Sequence, residues 1–71
     1  MIQLKLHSGR TVLYRKQDIL AALEYERKDK EDNPAVRSIV TVQLWHPGNT
    51  APVIANILVQ DTIHAIHNKL S

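Results

Sequence analysis

Residues 36–59 read VRSIVTVQLWHPGNTAPVIANILV, and the fold turns on this stretch. Over 36–46 the side chains alternate. Val36, Ser38, Val40, Val42, Leu44 and His46 fall on one face, and Arg37, Ile39, Thr41, Gln43 and Trp45 on the other. A period of two marks a β-strand. The first face is nearly all apolar and is assigned to the core. The second sets Ile39 and Trp45 among polar neighbours, so it is either half covered or meets a partner. HPGN follows at 46–49. Proline at the second turn position presets φ and glycine at the third accepts positive φ, which is the type II pattern. PVIANILV at 52–59 returns as a strand, with Val53, Ala55, Ile57 and Val59 alternating with Ile54, Asn56 and Leu58. Apolar residues on both faces predict a central or interface strand.

Working outward toward the N-terminus, IQLKLH at 2–7 also alternates. Ile2, Leu4 and Leu6 oppose Gln3, Lys5 and His7. Ser8-Gly9 offers a tight turn, because Gly9 takes positive φ without a Cβ clash. RTVLY then supplies β-branched and aromatic residues for a returning strand, so residues 1–15 read as a hairpin. Residues 18–28, DILAALEYERK, fit two patterns. As a helix, Asp18 would cap it and Ile19, Leu20, Ala22 and Leu23 would form an apolar stripe. As a strand, Ile19, Ala21, Leu23 and Tyr25 would share one face. The expectation is a turn at about 16–20 and then a strand through about 28. Asn33-Pro34 breaks the chain, since proline pushes the preceding residue out of helical geometry. The segment from Glu24 to Asp32, with five acids and three bases, reads as a solvated, mobile hairpin arm centred on about 26–35.

Toward the C-terminus, DTIHAIHNKL at 61–70 has helical spacing. Ile63, Ile66 and Leu70 share one face at ~100° per residue. Asp61 or Gln60 is expected to begin the helix, and Lys69 suits its carbonyl end. The predicted fold is therefore α+β: a small antiparallel sheet of four to five strands with one C-terminal helix packed on it, in a single domain spanning 1–71.

Seventy-one residues without a cysteine have neither disulfide nor thiolate metal site to reinforce a small core. Small chains of this kind often gain stability by assembling, so a homodimer or higher oligomer is expected. No apolar run reaches signal-peptide or membrane-spanning length, and a cytoplasmic location with no membrane partner is the simplest expectation.

Constellations for chemistry are sparse. His64 and His67 stand three apart on the helix, a spacing that suits two ligands to one metal, with His7, His46 or Asp61 as a third. The same histidines read more simply as a boundary and a surface residue, and neither metal nor cofactor is expected. There is no cysteine nucleophile, glycine-rich phosphate loop or HExxH. Ser8 and Ser38 have no base at a predictable spacing, and most acids lie in the charged arm, so no enzyme activity is expected. The net charge is +2, a mild excess. A nucleic-acid reading would use Lys5, Arg10, Arg15, Lys16 and Arg37 with Tyr14 or Trp45 as a stacking platform. The simpler reading is a solvated hairpin face. A protein-binding or self-association reading uses Ile39, Trp45, Ile54 and Leu58, with Trp45 as the anchor. Its competitor has the C-terminal helix covering that face, with Trp45 in the core.

Met1, Ile2 and Leu4, then Leu6 and Gly9, then Val12, Ile19, Val40, Val42, Leu44, Val59, Ile63 and Ile66 follow an order that resembles the small FlbD/SwrD-like proteins of bacterial flagella and swarming. Those chains open on a Met-Ile-x-Leu strand, turn at a glycine and end with a valine-rich strand running into a short helix. The resemblance spans most of the chain and implies the fold; it carries over no catalytic residue. The arm at 26–35 and the HPGNTAP turn are longer than that pattern. The expected function is a small, non-enzymatic regulatory or adaptor protein that binds protein and associates with itself. A phage or mobile-element origin with a host protein as target is equally compatible. A nucleic-acid-binding module built on the first hairpin is the alternative.

Overall fold

A computed structural model describes residues 1–26 and 35–71. Five strands and one helix appear: β1 (Ile2–Lys5), β2 (Thr11–Tyr14), β3 (Ile19–Glu24), β4 (Ser38–Leu44), β5 (Val53–Val59) and α1 (Ile63–Leu70). The α+β architecture is as the sequence predicts. Its strands form two antiparallel sheets, however, β1-β2 and β3-β4-β5, rather than one of four to five strands. Among the described residues one β-bridge, between Leu6 and Val59, links the two sheets. His7 donates its amide to the Leu58 carbonyl (3.0 Å), and Gln60 donates to the Lys5 carbonyl (2.7 Å). The ladder stops there because β1 enters its turn on one side and the chain leaves for α1 on the other.

The first turn is one residue longer than a two-residue hairpin. Leu6 and Arg10 close it through a 2.8 Å amide–carbonyl bond, with Gly9 at φ +93°. That left-handed glycine is the bulge residue of a three-residue loop. Pro47-Gly48 turns as expected: Gly48 has φ +86° and the Asn49 amide reaches the His46 carbonyl at 3.1 Å.

Residues 19–24 are strand, not helix, and a short 3-10 turn (Lys16–Asp18) precedes them. The local helix propensity of Leu20, Ala21, Ala22 and Leu23 loses to pairing with β4, which is long-range. The strand ends at Glu24 rather than near 28, and the core of the charged arm, 27–34, lies outside the described residues. β4 is the central strand. β5 is an edge and not a central strand, which leaves the interface alternative of its reading.

The core face of β4 is the one its alternation predicts. Ser38, Val40 and Val42 are fully buried. They meet Val59, then Ile2 and Leu4 from the hairpin and Ile66 from α1, with Ile19, Ala22, Ile57 and Leu70 packed around them. Each such aliphatic side chain contributes about 1.5–3 kcal/mol on burial. Helix and hairpin thus cover the same face of the three-stranded sheet. Thr62, rather than Asp61 or Gln60, caps α1: its hydroxyl accepts the Ala65 amide at 3.1 Å. No helix among the described residues is long and apolar enough to cross a membrane.

Candidate interaction surface

With the helix on one face, the opposite face of β3-β4-β5 carries the residues read as an interface. The register sets Leu23, Ile39 and Leu58 in one row across the sheet. Ala21, Thr41 and Asn56 form the next row, and Gln43 pairs with Ile54. Trp45 follows Gln43 and Leu44 just past the end of β4. Leu23 is 67% exposed, Ile54 55% and Trp45 52%, while Ile39 and Leu58 are half-buried. The register therefore puts Ile39, Leu58 and Ile54 on one side of the sheet, with Trp45 half-exposed just past the end of β4. The alternative, with Trp45 in the core under the helix, is not what the chain adopts. Leu23 joins this surface, whereas Ile19, which strand parity sets on the same face as Leu23, turns to the core through a bulge between Ile19 and Ala21.

Polar pairs brace the surface. Thr41 Oγ1 donates to Asn56 Oδ1 at 2.7 Å across β4 and β5. Gln43 Nε2 reaches Asp18 Oδ1 (3.2 Å) and the Gln17 carbonyl (3.3 Å). Asp18 is itself held by Arg15 Nε at 2.8 Å. The hydrogen bond from Arg15 is the main reason that the Asp18 carboxyl sits below its ordinary value; burial opposes it and Gln43 adds to it. The 3-10 turn is thereby fastened to the rim of the surface.

A second polar cluster fastens the elements beneath. Asp61 Oδ1 accepts the Lys5 amide (2.8 Å) and Oδ2 accepts Lys69 Nζ (2.8 Å), while the Asp61 carbonyl accepts Ser38 Oγ (2.7 Å). Lys69 Nζ also reaches the Gln3 carbonyl at 2.7 Å. One aspartate thus ties β1, β4 and the last turn of α1. Burial pushes the Asp61 carboxyl up, and the Lys5 amide with the Lys69 ammonium more than offsets this, leaving it below its ordinary value. Lys69, in the last turn of α1 as expected, thus also pairs across the fold. The sequence marked Asp61 only as a helix start or a third metal ligand.

The basic residues lie on several different elements. Lys5 lies on the outer face of the first hairpin, Arg10 in its turn, and Lys16 in the 3-10 turn. Arg15 is engaged by Asp18, the Tyr14 side chain packs on the core, and Arg37 stands at the entry to β4. His64 and His67 are both exposed, His64 Nε2 lies 3.4 Å from Asn68 Nδ2, and no three potential metal ligands gather among the described residues. A shallow, open pocket of about 280 Å³ is lined by Glu24, Arg37, Thr62, Ile63 and His64 at the start of α1. Comparison with protein-family models, curated proteins and solved structures finds no match to this chain.

Proposed function

We propose that this chain is a small, non-enzymatic regulatory or adaptor protein that binds protein through the outer face of β3-β4-β5. The observation that carries this reading is the exposure of Leu23 and Ile54 on the sheet face opposite the helix, with Trp45 half-exposed just past the end of β4. Large apolar side chains exposed on one face of a small domain suit an interaction surface, and a half-exposed tryptophan is a preferred anchor. The whole-chain resemblance to FlbD/SwrD-like proteins, and equally a phage or mobile-element origin, is compatible with such a role in a cytoplasmic setting.

Site-specific photo-crosslinking in the native host tests it. A photoreactive side chain at Trp45 is expected to give adducts of discrete mass, whereas one at Leu13, exposed on the first hairpin's outer face, gives none. Equal labelling from both positions, or none from Trp45, contradicts the reading. The alternative, nucleic-acid binding by Lys5, Arg10, Tyr14, Arg15, Lys16 and Arg37, requires binding to generic DNA or RNA that weakens steeply with salt.

A further inference from the structure

The open edge of β5 has a bounded, self-complementary set of hydrogen-bonding groups. In an antiparallel ladder each residue points both its amide and its carbonyl to the same side, and successive residues alternate. The Leu58 carbonyl and the Gln60 amide bond to His7 and Lys5 on the outer side of β5. Even-numbered residues of β5 therefore face the open edge, and Val53, Ala55, Ile57 and Val59 face β4. Two limits define what remains free. His7 already fills the place opposite Leu58, and Pro52, just before the strand, has no amide hydrogen. Between them the amides and carbonyls of Ile54 and Asn56 have no backbone partner among the described residues.

We infer that β5 pairs antiparallel with β5 of a second copy of this chain, about a two-fold axis at Ala55. This rests on the reading of the chain as a protein-binding protein and names one partner, held at the edge of the sheet. In that register Ile54 faces Asn56 of the other copy, and the reciprocal pair repeats it. The amide and the carbonyl of Ile54 and of Asn56 are then all bonded. Shifting the axis to Asn56 would set Ile54 opposite Leu58, where His7 stands. Shifting it to Ile54 would set the Asn56 carbonyl opposite a proline. Of the three, only the Ala55 register bonds both groups of Ile54 and of Asn56, and its paired stretch ends at Val53 and Ile57, because Pro52 of the other copy falls opposite Leu58, where His7 stands.

The side chains fit the same axis. Facing residues in a pair without direct hydrogen bonds approach to about 4.5 Å between Cα atoms, and a small Ala55 at the axis permits this. Val53, 46% exposed on the helix-bearing face, comes opposite Ile57 of the other copy. Natural edge strands are commonly protected by lysine or other charges; VIANILV has none. Joining two three-stranded sheets makes the outer faces continuous.

Sedimentation equilibrium of the full chain, with two double variants, tests the inference. Ile54→Lys with Asn56→Lys sets lysine opposite lysine in both reciprocal pairs, and the dimer is expected to weaken roughly tenfold or more. Ile54→Lys with Asn56→Asp sets lysine opposite aspartate and is expected to restore the dimer. Both positions are exposed, and circular dichroism checks that each variant is folded. A monomeric wild-type chain at millimolar concentration overturns the inference, as does a dimer that both variants leave intact or both abolish. A second readout needs no variant: the Ile54 and Asn56 amides gain protection from hydrogen exchange as concentration rises, and exchange independent of concentration overturns the inference. Trp45 adducts with a different protein would survive either failure, so the binding reading and the identity of the partner fail separately.

Discussion

Replacing Asp61 with alanine removes the acceptor of the Lys5 amide and the partner of Lys69 in one step. A hydrogen bond from an amide to a charged acceptor contributes about 1.5 kcal/mol at the lower end of its range, which suits a site open to water. The Lys69 side chain is 38% exposed, so its ion pair adds only about 0.5 kcal/mol. The expected loss is about 2 kcal/mol, or roughly 8–16 °C in Tm for a domain of this size. Asp61→Asn keeps an oxygen for the Lys5 amide and loses only about 0.5–1 kcal/mol. Thermal and urea unfolding followed by circular dichroism reads both. The pH dependence separates charge from geometry. The folded-state carboxyl sits below its ordinary value of 3.8, so its stabilisation is complete above that value and fades as the pH falls through the folded value. The gap between wild type and Asp61→Asn is therefore widest near neutrality and closes in acid. An alanine variant as stable as wild type, or a gap that widens in acid, refutes the reasoning.

Three further outcomes follow from local geometry. Thr62→Ala removes the cap on the Ala65 amide and is expected to cost about 1 kcal/mol in urea unfolding, with Thr62→Ser retaining most of it. Gly48→Ala has open space for its Cβ but a backbone at φ +86°, so it destabilises by about 1–2 kcal/mol through conformation alone; Gly48→Asn recovers part of this. Trp45→Ala leaves circular dichroism unchanged and costs less than about 1.5 kcal/mol, against the 3–5 kcal/mol of a core tryptophan, while its crosslinks or assembly weaken.

The strands, both glycine turns and the helix were legible because each rests on a local period or on a φ that one residue type supplies. The choice between helix and strand at 19–24 was not. Alanine and leucine favour a helix there, and only the pairing of Ala22 with Val40 and Leu23 with Ile39 decides otherwise. Strand parity named Ile39, Trp45, Ile54 and Leu58 as one surface, yet whether that surface is open depends on which face α1 covers. Ile66 meeting Val40 and Val42 settles this, and no local pattern encodes it. The division into two sheets has the same origin, since the Leu6–Val59 bridge joins distant parts of the chain. The Asp61 cluster was hidden for that reason too: its partners Lys5, Ser38 and Lys69 come from three separate elements.

Amide hydrogen exchange at β5, measured by NMR from micromolar to millimolar protein, tests the pairing of β5 with a second copy of the chain most directly. Protection at Ile54 and Asn56 that rises with concentration, while the Val40 and Val59 amides stay protected throughout, is the predicted result. Fast exchange at Ile54 and Asn56 at every concentration would contradict it.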